Sequence, residues 1–192
     1  MIASVVAAPV VGRRVVAPYG EDAGFVTVTV SRDGPLLPNG VRITGRVVPG
    51  RVSVDGAEVW DPTLTISEPA LEPDSSLAAH SPESLGAELI GRGPGLTPEG
   101  DDFVAGMAGV LAAAGRHELV VALIGADLRR RTTALSATLI ELAARGYGPE
   151  PLQAVLAGRA SALPRLLSMG HTSGRAYARG AAVGLAVLAL RA

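Results

Sequence analysis

The chain has 192 residues, 48% of them hydrophobic, and a formal net charge of -1, which suits one large or two small domains with a core and offers no overall field to nucleic acid. It has no cysteine, which excludes disulfides, thiolate zinc sites and a cysteine nucleophile. It also lacks lysine, all 17 residues of the Lys+Arg count being arginine, so a P-loop lysine and a Schiff-base lysine are excluded and any anion must be held by arginine, backbone N–H groups or a metal.

The opening segment is apolar, and Arg13 and Arg14 follow the apolar run instead of preceding it, the wrong order for a secretory signal. Residues 1–68 read as a β-rich domain. Gly24–Val30 and Val41–Val48 alternate as half-buried strands do. Asp55-Gly56 sits between Arg51–Val54 and Glu58–Trp60 as a two-residue hairpin turn, and Pro35, Pro38 and Asn39-Gly40 mark further turns. The pattern predicts an antiparallel sheet or small barrel of about six strands.

Residues 69–83 are polar and proline-containing and read as a connection. Residues 84–192 read as a helical domain, so the fold class expected is α+β. Helices are predicted at Ser84–Ile90, Pro98–Ala114, Glu118–Arg130, Thr133–Arg145, Pro149–Ala157, Ser161–Met169 and Ser173–Leu190, with Gly146 and Gly170 at C-cap positions. The helix from Pro98 is apolar around most of its girth after Asp102, which predicts a central, buried position. The last apolar run, Ala181–Leu190, is too short to span a bilayer. A cytoplasmic protein with no membrane or nucleic-acid partner is expected.

Three segments carry candidate chemistry. The first is Gly91–Asp102, GRGPGLTPEGDD. Its glycines permit positive φ and close backbone approach to a ligand. Thr97 is placed to cap the following helix, with Pro98 at its first position. The free N–H groups and dipole of that helix start favour an anion, with Gly93, Gly95, Leu96, Thr97 and Gly100 as the ligand-binding residues. Gly100 reads as room for the ligand. Adjacent residues point about 100° apart on a helix, so one of Asp101 and Asp102 faces the site while the other caps or pairs. The facing carboxylate can act as a base, orient a substrate amide or hold Mg²⁺; no other cofactor is expected.

The second segment is Gly170–Gly174, GHTSG, opening a long apolar helix. Thr172 or Ser173 is positioned as its N-cap, and Thr172, Ser173 and Gly174 are candidate ligand contacts. His171 is a candidate acid, base or hydrogen-bond donor. The third is Arg129–Ser136, RRRTTALS, where Thr132 or Thr133 caps a helix and Arg131 is either a solvated end-of-helix charge or part of an anion pocket. HExxH, GxSxG and GxxxxGK[ST] patterns are absent, and Gly91–Gly95 lacks the βαβ context of a dinucleotide fingerprint.

Taken together, GRGPGLTPEGDD, TTALS and GHTSG resemble the segments of a bacterial family that supplies one subunit of oxamate carbamoyltransferase, an enzyme of anaerobic purine and allantoin breakdown. The resemblance spans about Leu85 to Gly180. It departs at Glu99, where a small residue is expected, and at Ala176, where aspartate is frequent. It implies exchange of a carbamoyl group between carbamoyl phosphate and oxalurate, by positioning and electrostatics without a covalent intermediate. It also implies a small anionic substrate and other enzyme subunits, or further copies of the chain, as partners. Two alternatives remain: a non-catalytic scaffold or ligand-binding subunit, and a Mg²⁺-dependent enzyme using Asp101 or Asp102.

Overall fold

The computed structural model describes residues 27–29, 35–38, 40–42 and 61–191. Two three-residue strands, β1 (Thr27–Thr29) and β2 (Gly40–Arg42), pair in parallel with Val28 opposite Val41. Helices α1 (Pro82–Leu89), α2 (Glu99–Ala113), α3 (His117–Ile124), α4 (Leu128–Arg131), α5 (Ala134–Ala143), α6 (Glu150–Leu156), α7 (Leu163–Leu167) and α8 (Ser173–Leu190) follow, with a 3₁₀ turn at Ala160–Ala162 before α7.

The described chain is therefore helical, and the expected α+β architecture with an N-terminal antiparallel sheet or small barrel is corrected. The only strand ladder among the described residues is parallel, and the single isolated bridge, Thr63 to Tyr147, joins the chain before α1 to the α5–α6 turn. Val/Thr alternation reports a half-buried extended segment, but it carries no information on the partner or the direction of pairing. The strands expected around Asp55-Gly56 and at 43–48 lie outside the described residues.

The helical expectations match the structure to within a few residues, with one break. The helix expected over Glu118–Arg130 is two helices, because Gly125 (φ 66°) and Asp127 (φ 60°) take left-handed conformations that end α3 and start α4.

α2 is the hub, with every residue from Gly100 to Ala112 buried. It packs against α1, α3, α5 and, most extensively, α8. The α2–α8 approach depends on glycine. A Cβ at Gly106 would collide with the Tyr177 carbonyl oxygen, and one at Gly180 with the Phe103 carbonyl oxygen. One at Gly184 would crowd Val110, at 3.1 Å. From Thr97–Ser173 through Phe103–Gly180 to Val110–Gly184 the contacts advance in the same direction along both helices, so α2 and α8 are parallel and their N-termini lie at the same end. The same kind of backbone approach seats α1, where Gly86 meets the Leu123 carbonyl of α3.

The segment before α1 runs over this bundle. Leu64 N–H donates to the Gly146 carbonyl at 2.8 Å and Gly148 N–H to the Pro62 carbonyl at 2.9 Å, and the Leu64 side chain joins the helical core. Among the described residues no helix is long and apolar enough to cross a membrane.

Candidate active site

The parallel arrangement of α2 and α8 brings two helix starts together, and the start of α5 joins them. Each junction is a side-chain hydrogen bond between distant segments. The Thr132 hydroxyl donates to Asp101 Oδ2. The Thr133 hydroxyl donates to the Leu96 carbonyl at 2.6 Å, and Ser136 Oγ reaches the same oxygen at 3.4 Å. Thr97 Oγ1 and Ser173 Oγ are 3.3 Å apart. All three segments singled out in the sequence meet at the beginning of α2.

The two aspartates have separate environments, as adjacent helical positions require. Asp101 is 1% exposed and has both oxygens engaged: Oδ1 accepts the Gly91 N–H at 2.7 Å and Oδ2 accepts from Thr132. It clamps the loop and the α5 start onto α2. Asp102 is 3% exposed, and its Oδ2 is buried with no hydrogen-bond partner. Burial pushes its carboxyl up to about 7; the nearby charges of Asp101 and Glu99 add to this, and the Ser173 and Thr97 hydroxyls oppose it by favouring the ionised form.

A second buried orphan lies on α8. The Tyr177 hydroxyl has no partner and the side chain is 2% exposed. Burial holds its pKa well above the ordinary value, and the Asp102 charge raises it further. The motif reading passed over Tyr177. The usable signal was its spacing, four residues after Ser173 and hence on the same face of α8.

The other candidates fall into two groups. Gly91, Gly93 and Gly95 have φ of 81°, 115° and 95°, and Gly93, Gly95, Leu96 and Thr97 make no backbone N–H hydrogen bond among the described residues. Their loop presents free donors, and Leu96 at its tip is 70% exposed. Thr172 and His171 are exposed beside Ser173.

Gly100, Gly174 and Arg131 are engaged in packing and backbone bonds. Gly100 gives no room to a ligand: a Cβ there would collide with the Leu89 carbonyl, and its N–H donates to the Arg92 carbonyl at 2.9 Å. Gly174 lies against the Leu166 carbonyl. The Arg131 guanidinium bonds the Gly86 carbonyl at 2.6 Å and the Ile124 carbonyl at 3.3 Å, tying α4 to α1 and α3.

The cap assignments divide similarly. Thr133 caps α5 through the Ser136 N–H at 3.1 Å. Thr97 does not cap α2, whose N-cap position is Pro98, and the Thr172 side chain makes no capping bond to α8. The first departure follows from geometry, since the Thr97 hydroxyl is turned toward Ser173 of α8.

Of the two positions that differ from the resembled pattern, Glu99 is exposed and Ala176 is 4% exposed. Among the described residues no group of three or more His, Cys, Asp or Glu is arranged to hold a metal ion.

These features describe a class: a helical domain in which two parallel helix starts, loop amides without hydrogen-bond partners among the described residues and a buried carboxyl meet. The sequence matches the family described as oxamate carbamoyltransferase subunit AllH over residues 89–185, just over half of the chain, and the protein belongs to that family. The match begins at the end of α1 and takes in the loop, α2, the α5 start and most of α8. No solved structure matches the chain.

Proposed function

We propose that this chain is a subunit of an oxamate carbamoyltransferase and that its ligand sits where α2, α5 and α8 begin. The observation carrying this reading is Asp102: a buried carboxyl with an unpartnered oxygen on a family-matched segment. Burying such a group without a partner costs free energy, which a structural role leaves unexplained.

In this reading the reaction joins carbamoyl phosphate and oxamate into oxalurate and phosphate. The anionic ends of the ligands lie toward the free N–H groups of the Gly93–Thr97 loop and the two helix starts, which favour negative charge. The hydroxyls of Thr97, Thr172 and Ser173 add donors. The oxamate nitrogen forms the new bond to the carbamoyl carbon, the bond from that carbon to the phosphate oxygen breaks, and Asp102 takes the proton that the nitrogen sheds. A carboxyl of pKa near 7 suits proton exchange near neutral pH. His171, exposed at the rim, serves the departing phosphate as acid or hydrogen-bond donor. Asp101 holds the scaffold without touching ligand.

A second reading, that the chain completes a partner subunit's site without performing the chemistry, draws support from Leu96, exposed on the loop beside the site. Carbamoyl-phosphate-dependent oxalurate formation, measured with the chain alone and together with its partner subunits, separates the two. The catalytic reading expects Asp102→Asn to lower turnover about a hundredfold or more. Turnover unchanged in Asp102→Asn and Ser173→Ala would remove the site from the reaction.

A further inference from the structure

Two buried polar atoms among the described residues lack hydrogen-bond partners: Asp102 Oδ2 and the Tyr177 hydroxyl. They belong to α2 and α8, the helices packed most closely through glycine. Tyr177 lies one helical turn after Ser173, and Ser173 touches Thr97 at 3.3 Å. Gly106, one turn after Asp102, packs against the Tyr177 backbone, and the phenol lies near enough for the Asp102 charge to act on it. Folded proteins seldom leave buried polar atoms unpaired, and two on facing helices at one site mark a missing partner.

The chemistry of the pair selects that partner. A phenol donates an O–H, and an unpaired carboxyl oxygen accepts an N–H. A group satisfying both presents a carbonyl oxygen and an N–H on one carbon, which describes a primary amide or carbamoyl head. A phosphate or carboxylate presents acceptors only and would leave Asp102 Oδ2 without a donor. A neutral head also avoids burying a further charge.

We propose that Tyr177 and Asp102 together form an amide-reading subsite, with Tyr177 donating to the carbonyl oxygen and Asp102 Oδ2 accepting from the nitrogen, reached when the Thr97 and Ser173 hydroxyls part. This rests on the ligand site proposed above and assigns the amide or carbamoyl end of the ligand inward and the anionic end outward. Tyr177 is then a specificity-determining residue. Phenylalanine keeps its volume and removes only the orphaned hydroxyl.

Calorimetric titration with oxamate and with oxalate, which has the same size but no amide, tests this on the wild-type chain and on Tyr177→Phe. The expected result is tighter binding of oxamate by the wild type, about tenfold weaker oxamate binding by Tyr177→Phe and unchanged oxalate binding, one hydrogen bond being worth about that factor. The Tyr177→Phe protein should melt no lower than the wild type, since the hydroxyl has no partner among the described residues and burying it unpaired costs free energy. Oxamate binding that Tyr177→Phe leaves intact, or a wild type that binds both acids equally, overturns the amide subsite while leaving the ligand site standing. Binding of neither acid overturns both.

Discussion

The hydroxyl of Ser173 lies 3.3 Å from that of Thr97, 76 residues earlier in the chain. This contact marks the point where two glycine-rich helix starts meet, and it exists because α2 and α8 run parallel. Both hydroxyls favour the ionised form of Asp102. Ser173→Ala should therefore raise the Asp102 midpoint further above its present value of about 7, read by carboxyl carbon NMR titration. A midpoint that stays in place or falls would show that Ser173 does not face Asp102.

The raised pKa of Asp102 also sets a pH dependence of stability. In the range between the ordinary aspartate value of 3.8 and about 7, the folded protein keeps a proton that the unfolded chain has released. Stability from this group is thus fully present at low pH and is lost as pH rises through 7. Asp102→Asn has no proton to lose there, so the wild-type melting temperature should fall relative to the variant's between pH 4 and 7. The total is a few kcal/mol, at about 1.4 kcal/mol per pKa unit. Parallel curves for the two proteins would contradict the buried, raised carboxyl.

Asp101 is expected to behave in the opposite way, as a structural clamp. Asp101→Ala strands the Gly91 N–H and the Thr132 hydroxyl, and urea unfolding should show a loss of about 3 kcal/mol. A loss under about 1 kcal/mol would show that the clamp contributes little beyond an ordinary neutral hydrogen bond.

Glycine substitutions should separate packing from turn geometry. Gly180→Ala drives a methyl into the Phe103 carbonyl oxygen of α2, and a destabilisation of about 3 kcal/mol is expected. Gly95→Ala meets nothing within 4 Å, but its φ is 95°, so the expected cost is about 1 kcal/mol from backbone strain alone. Equal losses for the two would argue against close glycine packing between α2 and α8.

His171 is exposed, so His171→Ala should leave the melting temperature unchanged within the scatter of surface substitutions, about 0.5 kcal/mol. The proposed role at the phosphate end predicts a turnover loss of about a hundredfold. Full activity would remove it from the reaction.

Much of the helical part was legible in the sequence because its signals are local. A cap such as Thr133 and a left-handed glycine such as Gly91 or Gly146 act through bonds within a few residues. The apolar girth of α2 announced a buried helix for the same reason. The break at Gly125 and Asp127 escaped notice because a positive φ at Asp127 is uncommon outside glycine. In the N-terminal region, Val/Thr alternation marked extended chain but not its partner, and the ladder described there is parallel.

By itself, the sequence determined which segments bear the family resemblance, which helices flank them, and that two adjacent aspartates on a helix must face different surroundings. Only the tertiary structure decided which surroundings each has. Asp101 is consumed by Gly91 and Thr132, while Asp102 keeps one buried oxygen without a partner, beside Ser173. The physical reason is that these partners lie on the α1–α2 loop, the α4–α5 junction and α8, and the direction in which α8 packs against α2 is set by where their glycines let two backbones touch. Gly100 illustrates the same limit: its local context reads as ligand room, and its neighbour in space is the Leu89 carbonyl.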